Sequence, residues 1–265
     1  MKTWLATSLA LLLGCLQAQA DSATAYKAYH AGDFKRAFTE ATSAARTSDP
    51  LAWHLLGALY MRGEGVPQDK KKALGYFKKA ASKGLAAAQY NLGVAYALGS
   101  GTKPDYALAL KWYKKAALQN HIKASFDLGW LYRKGLGVKP NDIKAAKWIG
   151  KAAHAGHVPA QLEYAFMIFK GEGVEQDIPV AIKWFQRAAE GGNVVAQNRL
   201  ARLYAMGYGV EQDEIEAAKW HLLAKKGGDA DGKMQRFVDS LTKEELEEAR
   251  GRVKDFEKTH PVSRK

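Results

Sequence analysis

A pair of glycines separated by one residue recurs five times along this 265-residue chain, each time 36 residues further on. The pairs are Gly63 and Gly65, Gly99 and Gly101, Gly135 and Gly137, Gly171 and Gly173, and Gly207 and Gly209. Other positions repeat in the same register, among them Ala52, Ala88, Ala124, Ala160 and Ala196. A fixed period of this length predicts a solenoid, in which supersecondary repeats stack and each contacts only its neighbours.

Each repeat has the sequence pattern of two helices joined by a tight turn. Apolar residues such as Leu56 and Tyr60 recur at helical spacing, and the glycine pair ends the first helix. The second helix is predicted to begin at an N-cap and to end at a residue that tolerates the left-handed conformation. These residues are Asp69, Asp105, Asn141, Asp177 and Asp213 at the start, and Gly84, Asn120, Gly156, Gly192 and Gly228 at the end. We therefore predict an all-α chain, a right-handed α/α solenoid of five helix-turn-helix repeats with helical caps.

The repeat register divides the chain into four parts. We expect a signal peptide at 1–20, an N-terminal capping helix pair at 21–50, repeats at 51–86, 87–122, 123–158, 159–194 and 195–230, and a C-terminal capping helix with a frayed tail at 231–265. The first part combines Lys2, a short apolar core and the small-residue site Ala18-Gln19-Ala20, which predicts export and cleavage after Ala20. Alternatively, Leu12-Leu13-Gly14-Cys15 resembles a lipobox, which would anchor the protein to a membrane through Cys15.

The repeated string resembles the Sel1-like repeat, a relative of the tetratricopeptide repeat. The third repeat carries the resemblance in Ala124, Leu128-Gly129, Tyr132, Gly135-Leu136-Gly137-Val138, Lys147-Trp148, Lys151-Ala152-Ala153 and Gly156. The fourth repeat departs from it at Tyr164-Ala165. The resemblance implies an exported, periplasmic scaffold that binds another protein. Its role would be that of an envelope-assembly adaptor, a host-interaction protein or an immunity protein against a type VI secretion effector.

The residues offer no catalytic, metal-binding or cofactor-binding pattern. His154 and His157 lie three residues apart, but no third ligand is close in sequence. Four tryptophans, at 112, 148, 184 and 220, keep a fixed register that assigns them to the core rather than to a ligand cage. We therefore expect no enzyme and no cofactor. The alternative is a cell-wall-active enzyme, since some relatives are linked to β-lactam binding. Those relatives have a disulfide in each repeat, whereas this chain has one cysteine.

The positive charge lies in the first three repeats. The formal net charge is +13, and residues 51–158 alone hold 18 Lys+Arg against 5 Asp+Glu. Many of these lysines fall on the predicted second helices, between Lys70 and Lys151. The export pattern argues against a nucleic-acid partner. An ordinary solvated surface and a docking face for an acidic protein, an anionic polymer or lipid headgroups both fit this charge.

Three positions of the first helix change their chemistry from repeat to repeat. The series are Leu55, Asn91, Asp127, Glu163 and Arg199; Ala58, Val94, Trp130, Phe166 and Arg202; and Arg62, Leu98, Lys134, Lys170 and Met206. Their spacing places them on one helix face, and the first helices of such solenoids usually line the concave binding surface. We therefore predict a protein-binding face comprising Asn91, Asp127, Trp130, Lys134, Glu163, Phe166, Lys170, Arg199 and Arg202. Trp130 and Phe166 are expected to be its exposed aromatic residues.

Overall fold

The computed structural model describes residues 22–229 and 231–260, and within these ranges every regular element is helical. The chain divides into two compact units: the N-terminal unit ends at Lys139 and the C-terminal unit begins at Pro140. No helix among the described residues is long and apolar enough to cross a membrane. The predicted signal peptide, its cleavage site and Cys15 lie outside the described residues, as do Ala230 and residues 261–265.

The N-terminal unit contains seven helices in its described part. They are α1, described over residues 22–30, α2 (Phe34–Ala44), α3 (Pro50–Arg62), α4 (Lys70–Ser82), α5 (Ala86–Leu98), α6 (Tyr106–Leu118) and α7 (Ile122–Lys134). A short 3-10 helix, Ala45–Thr47, joins α2 to α3. From α2 to α7 each helix of this unit packs against the next. This nearest-neighbour packing is the pattern of a helical solenoid.

The C-terminal unit continues the same pattern of helices. It comprises α8 (Asp142–His154), α9 (Val158–Lys170), α10 (Ile178–Glu190), α11 (Val194–Met206), α12 (Glu214–Lys226), α13 (Gly232–Asp239) and α14 (Lys243–Thr259). From α8 to α12 each helix packs against the next, and α14 packs against α12. The all-α repeat architecture predicted from the sequence is confirmed. The prediction of a single C-terminal helix missed α13, an eight-residue helix that begins at the N-cap Asp231.

The second helix of every repeat begins and ends where the sequence predicts. The five predicted N-cap side chains each accept a hydrogen bond of 2.8–2.9 Å from the backbone N–H three residues further on. The five predicted terminal residues, from Gly84 to Gly228, all have φ between 64° and 94°. Because starts and ends are set by local hydrogen bonds and backbone conformation, each of these helices has the same length, 13 residues.

The second glycine of each pair lies against the start of the second helix in the preceding helix pair. At Gly137 the backbone has φ +70°, and an added Cβ would lie 2.5 Å from the backbone nitrogen of Ala107. The corresponding contacts of Gly65, Gly101, Gly173 and Gly209 are with Phe34, Lys70, Asp142 and Ile178. Glycine is required here for two reasons, since a side chain would strain the backbone and would also have no space.

Glycines inside the first helices bring the two helices of a repeat close together. A Cβ at Gly57 would lie 2.6 Å from the ring of Phe77, and a Cβ at Gly93 would lie 2.5 Å from the ring of Tyr113. Close packing of the two helices therefore accounts for glycine at both positions. An aromatic ring of the second helix therefore fills the space that the missing side chain leaves.

The last helix covers one side of α12. Thr242 and Glu245 form a capping box at its start, in which the side chain of each residue accepts a hydrogen bond from the backbone N–H group of the other. The ring of Phe256 packs edge-on against Trp220 with centroids 5.4 Å apart, and Ala249 is fully buried. Arg252 forms ion pairs of 3.2 and 3.3 Å with carboxylates at the start of α12. Apolar packing and ion pairs together fix α14 in place.

Replacing Gly137 by alanine is expected to lower the free energy of unfolding by about 2–4 kcal/mol, because the new Cβ adds left-handed strain and a backbone clash. Gly251→Ala is the matched control, since Gly251 lies inside α14 with nothing within 4 Å of its Cβ position. That control should gain about 0.5–1 kcal/mol. Urea unfolding followed by far-UV circular dichroism measures both changes. Equal stability of the two variants would contradict this account of the second glycine.

Candidate functional site

The three variable positions lie at different depths in the N-terminal unit. Leu55 is buried, Asn91 is half-buried, and Leu98 and Trp130 are 72% and 38% exposed. The first series was expected to share an open face with the other two. Leu55 instead belongs to a core cluster with residues of α1 and α2. In each unit, we call the surface formed by that unit's members of the second and third series, together with the residues beside them, its first-helix face.

Asn91 belongs to a chain of hydrogen bonds that links α1, α3 and α5. The Nδ1 atom of His54 lies 2.8 Å from the hydroxyl of Tyr26, and its Nε2 atom lies 2.9 Å from the Asn91 amide nitrogen. Burial, with a smaller contribution from His121, lowers the pKa of His54 to about 4, so its ring is neutral at pH 7. Asn91 therefore donates to Nε2, and the protonated Nδ1 donates to the Tyr26 oxygen.

Asp127 makes the equivalent link between α5 and α7. Burial raises the pKa of its carboxyl group to about 6, against the opposing effects of Tyr90 and Lys123. The hydroxyl of Tyr90 donates a hydrogen bond to this carboxyl group, and the Tyr90 ring stacks on His121 with centroids 4.6 Å apart. Two of the predicted binding residues, Asn91 and Asp127, thus hold adjacent first helices together.

The exposed part of the first-helix face in this unit is apolar with basic residues at its edge. Lys134 places its ammonium group 4.7 Å from the centroid of the Trp130 ring. A groove of about 210 Å³ lies nearby, lined by Ala58, Arg62, Val94 and Leu98 of the variable series, among other residues. Small side chains at Ala58 and Val94 leave this groove open. Such a surface suits an apolar side chain flanked by negative charge.

Aromatic rings and one arginine dominate the first-helix face of the C-terminal unit. The guanidinium of Arg199 lies 4.5 Å from the ring centroid of Phe169 and 5.8 Å from that of Phe166. Phe166 is half-buried rather than exposed as predicted, because its ring packs edge-on against the fully buried Phe185, with centroids 4.9 Å apart. Tyr208, which is 50% exposed, extends the cluster by packing against Phe169 at 5.8 Å.

Sequence reasoning missed Phe169 and Tyr208 as members of this surface. Both lie outside the three variable series. Tyr208 is the middle residue of a glycine pair, where the other repeats have Glu64, Ser100, Leu136 and Glu172. The unusual tyrosine was therefore visible in the sequence, but only the structure brings it to the first helices.

Arg199 carries an uncompensated positive charge within this cluster. No carboxylate of the described residues pairs with it, and its Nε atom is buried without a hydrogen-bond partner. Burial, assisted by the charge of Arg202, lowers the pKa of its guanidinium. The neighbouring cations are compensated, since Arg202 donates to Asp231 at 2.6 Å and Lys170 lies 3.5 Å from Glu172. Glu163, also predicted for this face, is half-buried.

The tryptophans and histidines form no ligand cage or metal centre in the described residues. Trp184 and Trp220 are buried as predicted, whereas Trp112 and Trp148 are half-buried at the edge of the core. The ammonium group of Lys115 lies 4.5 Å from the ring centroid of Trp112, and that of Lys151 lies 5.4 Å from the ring centroid of Trp148. Over the same residues, no group of three or more metal-binding side chains comes together.

Comparisons with known proteins identify the repeat. The family model of the Sel1 repeat matches residues 50–85, 86–121, 122–157, 158–193 and 194–229. A Sel1 repeat protein from Oxalobacter formigenes shares 29% identity at a TM-score of 0.73, over 84% of this chain and 98% of that one. A protective antigen of uropathogenic Escherichia coli with an SLR fold shares 30% identity at a TM-score of 0.80, over 90% of this chain. This chain spans 54% of that antigen's length. The curated proteins gave no match.

The raised pKa of Asp127 makes stability depend on pH. The folded carboxyl group holds its proton up to a pKa of about 6, whereas the ordinary value is 3.8. The stabilisation is therefore complete below pH 3.8 and is lost as the pH rises through 6. Asp127→Asn should remove this dependence. Wild type should lose about 1–2 kcal/mol relative to that variant between pH 4 and pH 7, after allowance for partial solvent access. Urea unfolding across this range tests it, and parallel curves for the two proteins would refute it.

Proposed function

The chain belongs to the Sel1 repeat family of protein–protein interaction scaffolds, and from that premise we propose that it binds an acidic segment of another protein through its first-helix face. The observation that carries this proposal is Arg199, a partly desolvated cation that packs against aromatic rings and pairs with no carboxylate of the described residues. A partner carboxylate would neutralise this charge. Arginine and aromatic residues are also the types most enriched among the strongest contributors to protein binding.

The chemistry of the guanidinium favours a carboxylate over other acceptors. Its planar fork of N–H donors matches the two oxygens of an aspartate or glutamate side chain. The stacking on Phe169 holds the fork in one orientation, so less side-chain entropy is lost on binding. A carboxylate bound there would also be shielded from water by Phe166 and Tyr208 on the neighbouring surface.

The N-terminal unit supplies a second part of the same kind of surface. Trp130 and Leu98 are exposed apolar residues, and Lys134 and Arg62 place positive charge beside them. The charge excess of residues 51–158 would attract an acidic partner before contact and so raise its association rate. Apolar anchors with basic neighbours support binding of a protein segment in which acidic and apolar residues alternate.

The sequence pattern of residues 1–20 supports a place of action outside the cytoplasm, in the periplasm or beyond. Cleavage after Ala20 would release the protein, and lipidation at Cys15 would instead tether it to a membrane. Within this setting we propose an adaptor that either assembles envelope machinery or acts as an immunity protein by binding a secretion effector. The identity of the captured partner distinguishes these roles.

A second candidate function is binding to an anionic envelope polymer through the lysines of the first three repeats. Its supporting observation is the surface exposure of Lys70, Lys71, Lys78, Lys79, Lys111, Lys114 and Lys147 on the second helices. Such binding is mainly electrostatic and should weaken steeply between about 50 and 300 mM salt. Measurement with a defined anionic polysaccharide tests it. Salt-insensitive binding, or no binding at low salt, would exclude this candidate.

Arg199→Gln is expected to reduce partner capture at least tenfold while leaving the helical content unchanged. Trp130→Ala should weaken capture in the same direction. The matched control is Arg187→Gln, because Arg187 also stacks on an aromatic ring, 4.5 Å from Trp184, but lies on a second helix. Tagged wild type and the variants are isolated from the native cells after cross-linking, and captured proteins are quantified by mass spectrometry.

The decisive comparison is between the two arginine variants. A protein that is retained by wild type and Arg187→Gln but lost from Arg199→Gln is the proposed partner. If every captured protein is retained equally by all variants, the first-helix face is not the binding surface. Circular dichroism and thermal unfolding of each variant separate lost binding from lost folding.

A further inference from the structure

Three residues around one cavity of the C-terminal unit have a type that no other repeat has at the same position, and one of them, Tyr164, replaces a leucine that the other four repeats share. Gly150, His154 and Tyr164 each differ in type from the residues at the same position of the other repeats. At the first position the others are Lys78, Lys114, Gln186 and Leu222; at the second, Ser82, Leu118, Glu190 and Lys226; at the third, Leu56, Leu92, Leu128 and Leu200. Residues that are unlike their counterparts in the other repeats, and that lie together in the fold, indicate a local function.

The three residues contact one another directly. A Cβ at Gly150 would lie 3.0 Å from the Tyr164 ring, so the missing side chain makes room for the larger tyrosine. The Nδ1 atom of His154 donates to the backbone oxygen of Gly150 at 2.7 Å. The His154 ring packs edge-on against Trp184 with centroids 4.8 Å apart and lies 5.9 Å from the Tyr164 ring. Together these contacts build a fixed aromatic wall beside α8.

The wall borders an open cavity of about 400 Å³, which we call the α8 pocket. Lys147 and Lys151 line it on the same side of α8 as His154, as expected for residues spaced by four and three along a helix. Ile143, which is 73% exposed, and Val174 form its apolar side. The pocket therefore has one basic and aromatic side and one apolar side.

The charges around the α8 pocket favour an anion. No acidic residue is among the residues that line it. Lys147 has no carboxylate within 4 Å in the described part of the chain. Asp142, Glu163, Glu172 and Glu175 are next to lining residues in the sequence, but none of them lines the pocket, and Glu172 pairs with Lys170 at 3.5 Å.

We propose that the α8 pocket binds the phosphate group of a small phosphorylated organic molecule. The Lys147 and Lys151 ammonium groups and the Tyr164 hydroxyl are separate point donors, which suit the tetrahedral oxygens of a phosphate, and the His154 ring supplies an aromatic side of the pocket. The planar guanidinium fork that typifies carboxylate recognition is missing from the pocket lining. The organic part of the ligand lies against Ile143 and Val174. The site is built on a second helix and is independent of the first-helix face.

Binding is tested on the full chain with glucose 6-phosphate as the probe, by calorimetry at low salt. We expect saturable binding that Lys147→Gln weakens at least fivefold. The matched control is Lys183→Gln, because Lys183 occupies the same position in the next repeat, where leucine and glutamine replace Tyr164 and Gly150. A double variant, Gly150→Lys with Tyr164→Leu, introduces the residues that the first two repeats have at these positions and should abolish binding while remaining folded.

Two further probes separate the parts of the ligand. Glucose should not bind, and inorganic phosphate should bind at least fivefold more weakly than glucose 6-phosphate. Equal affinity for the two phosphates would overturn the role of Ile143 and Val174. Equal loss in Lys147→Gln and Lys183→Gln, or full binding by the double variant, would overturn the α8 pocket as the site. Partner capture through Arg199 is unaffected by these outcomes.

Discussion

The close backbone approach at the second glycine of each pair is the constraint on which the rest of the structure depends. It brings the loop that follows the first helix of one repeat against the start of the second helix of the preceding helix pair, as at Gly137 and Ala107. Because these contacts involve backbone at all but the last glycine, they fix the position of one repeat against the next without depending on surface side chains. The surface positions of the first helices are then free to vary without loss of the fold.

The variable positions serve two purposes. Those between adjacent first helices carry a buried polar network, in which Tyr26, His54 and Asn91 form one group and Tyr90 and Asp127 another. Such a network gives the first helices of the N-terminal unit their own matching contacts, which favour one order of stacking over others. Trp130 exposes apolar area, and Arg199, at the same repeat position as Asn91 and Asp127, carries a charge that pairs with no carboxylate of the described residues. The same helix thus contributes to specific stacking on one side and to recognition on the other.

Local rules predicted the framework well, and contacts between repeats account for what they missed. The N-caps, the left-handed ends and the glycine pairs depend on residues within a few positions of one another, so the sequence alone identifies them. The burial of Leu55 and the partial burial of Phe166 depend on rings and helices of other segments. Tyr208 reaches Phe169 only through the fold, and α13 is too short to show a helical period. The depth of these residues therefore could not be predicted from the sequence, and their role in binding stays a prediction.

The last helix has a consequence for the behaviour of the protein in concentrated solution. A repeat array presents at its final repeat the same kind of apolar surface that its internal repeats use to stack. In this chain Trp220 meets Phe256 there, and Arg252 holds α14 to the carboxylates at the start of α12. The outward side of α14 is highly charged, with Glu244, Glu247, Lys254 and Lys258 exposed. Because α14 covers the side of α12 on which a further repeat would stack, the described residues offer a second copy of the chain no apolar stacking surface there, which disfavours end-to-end association.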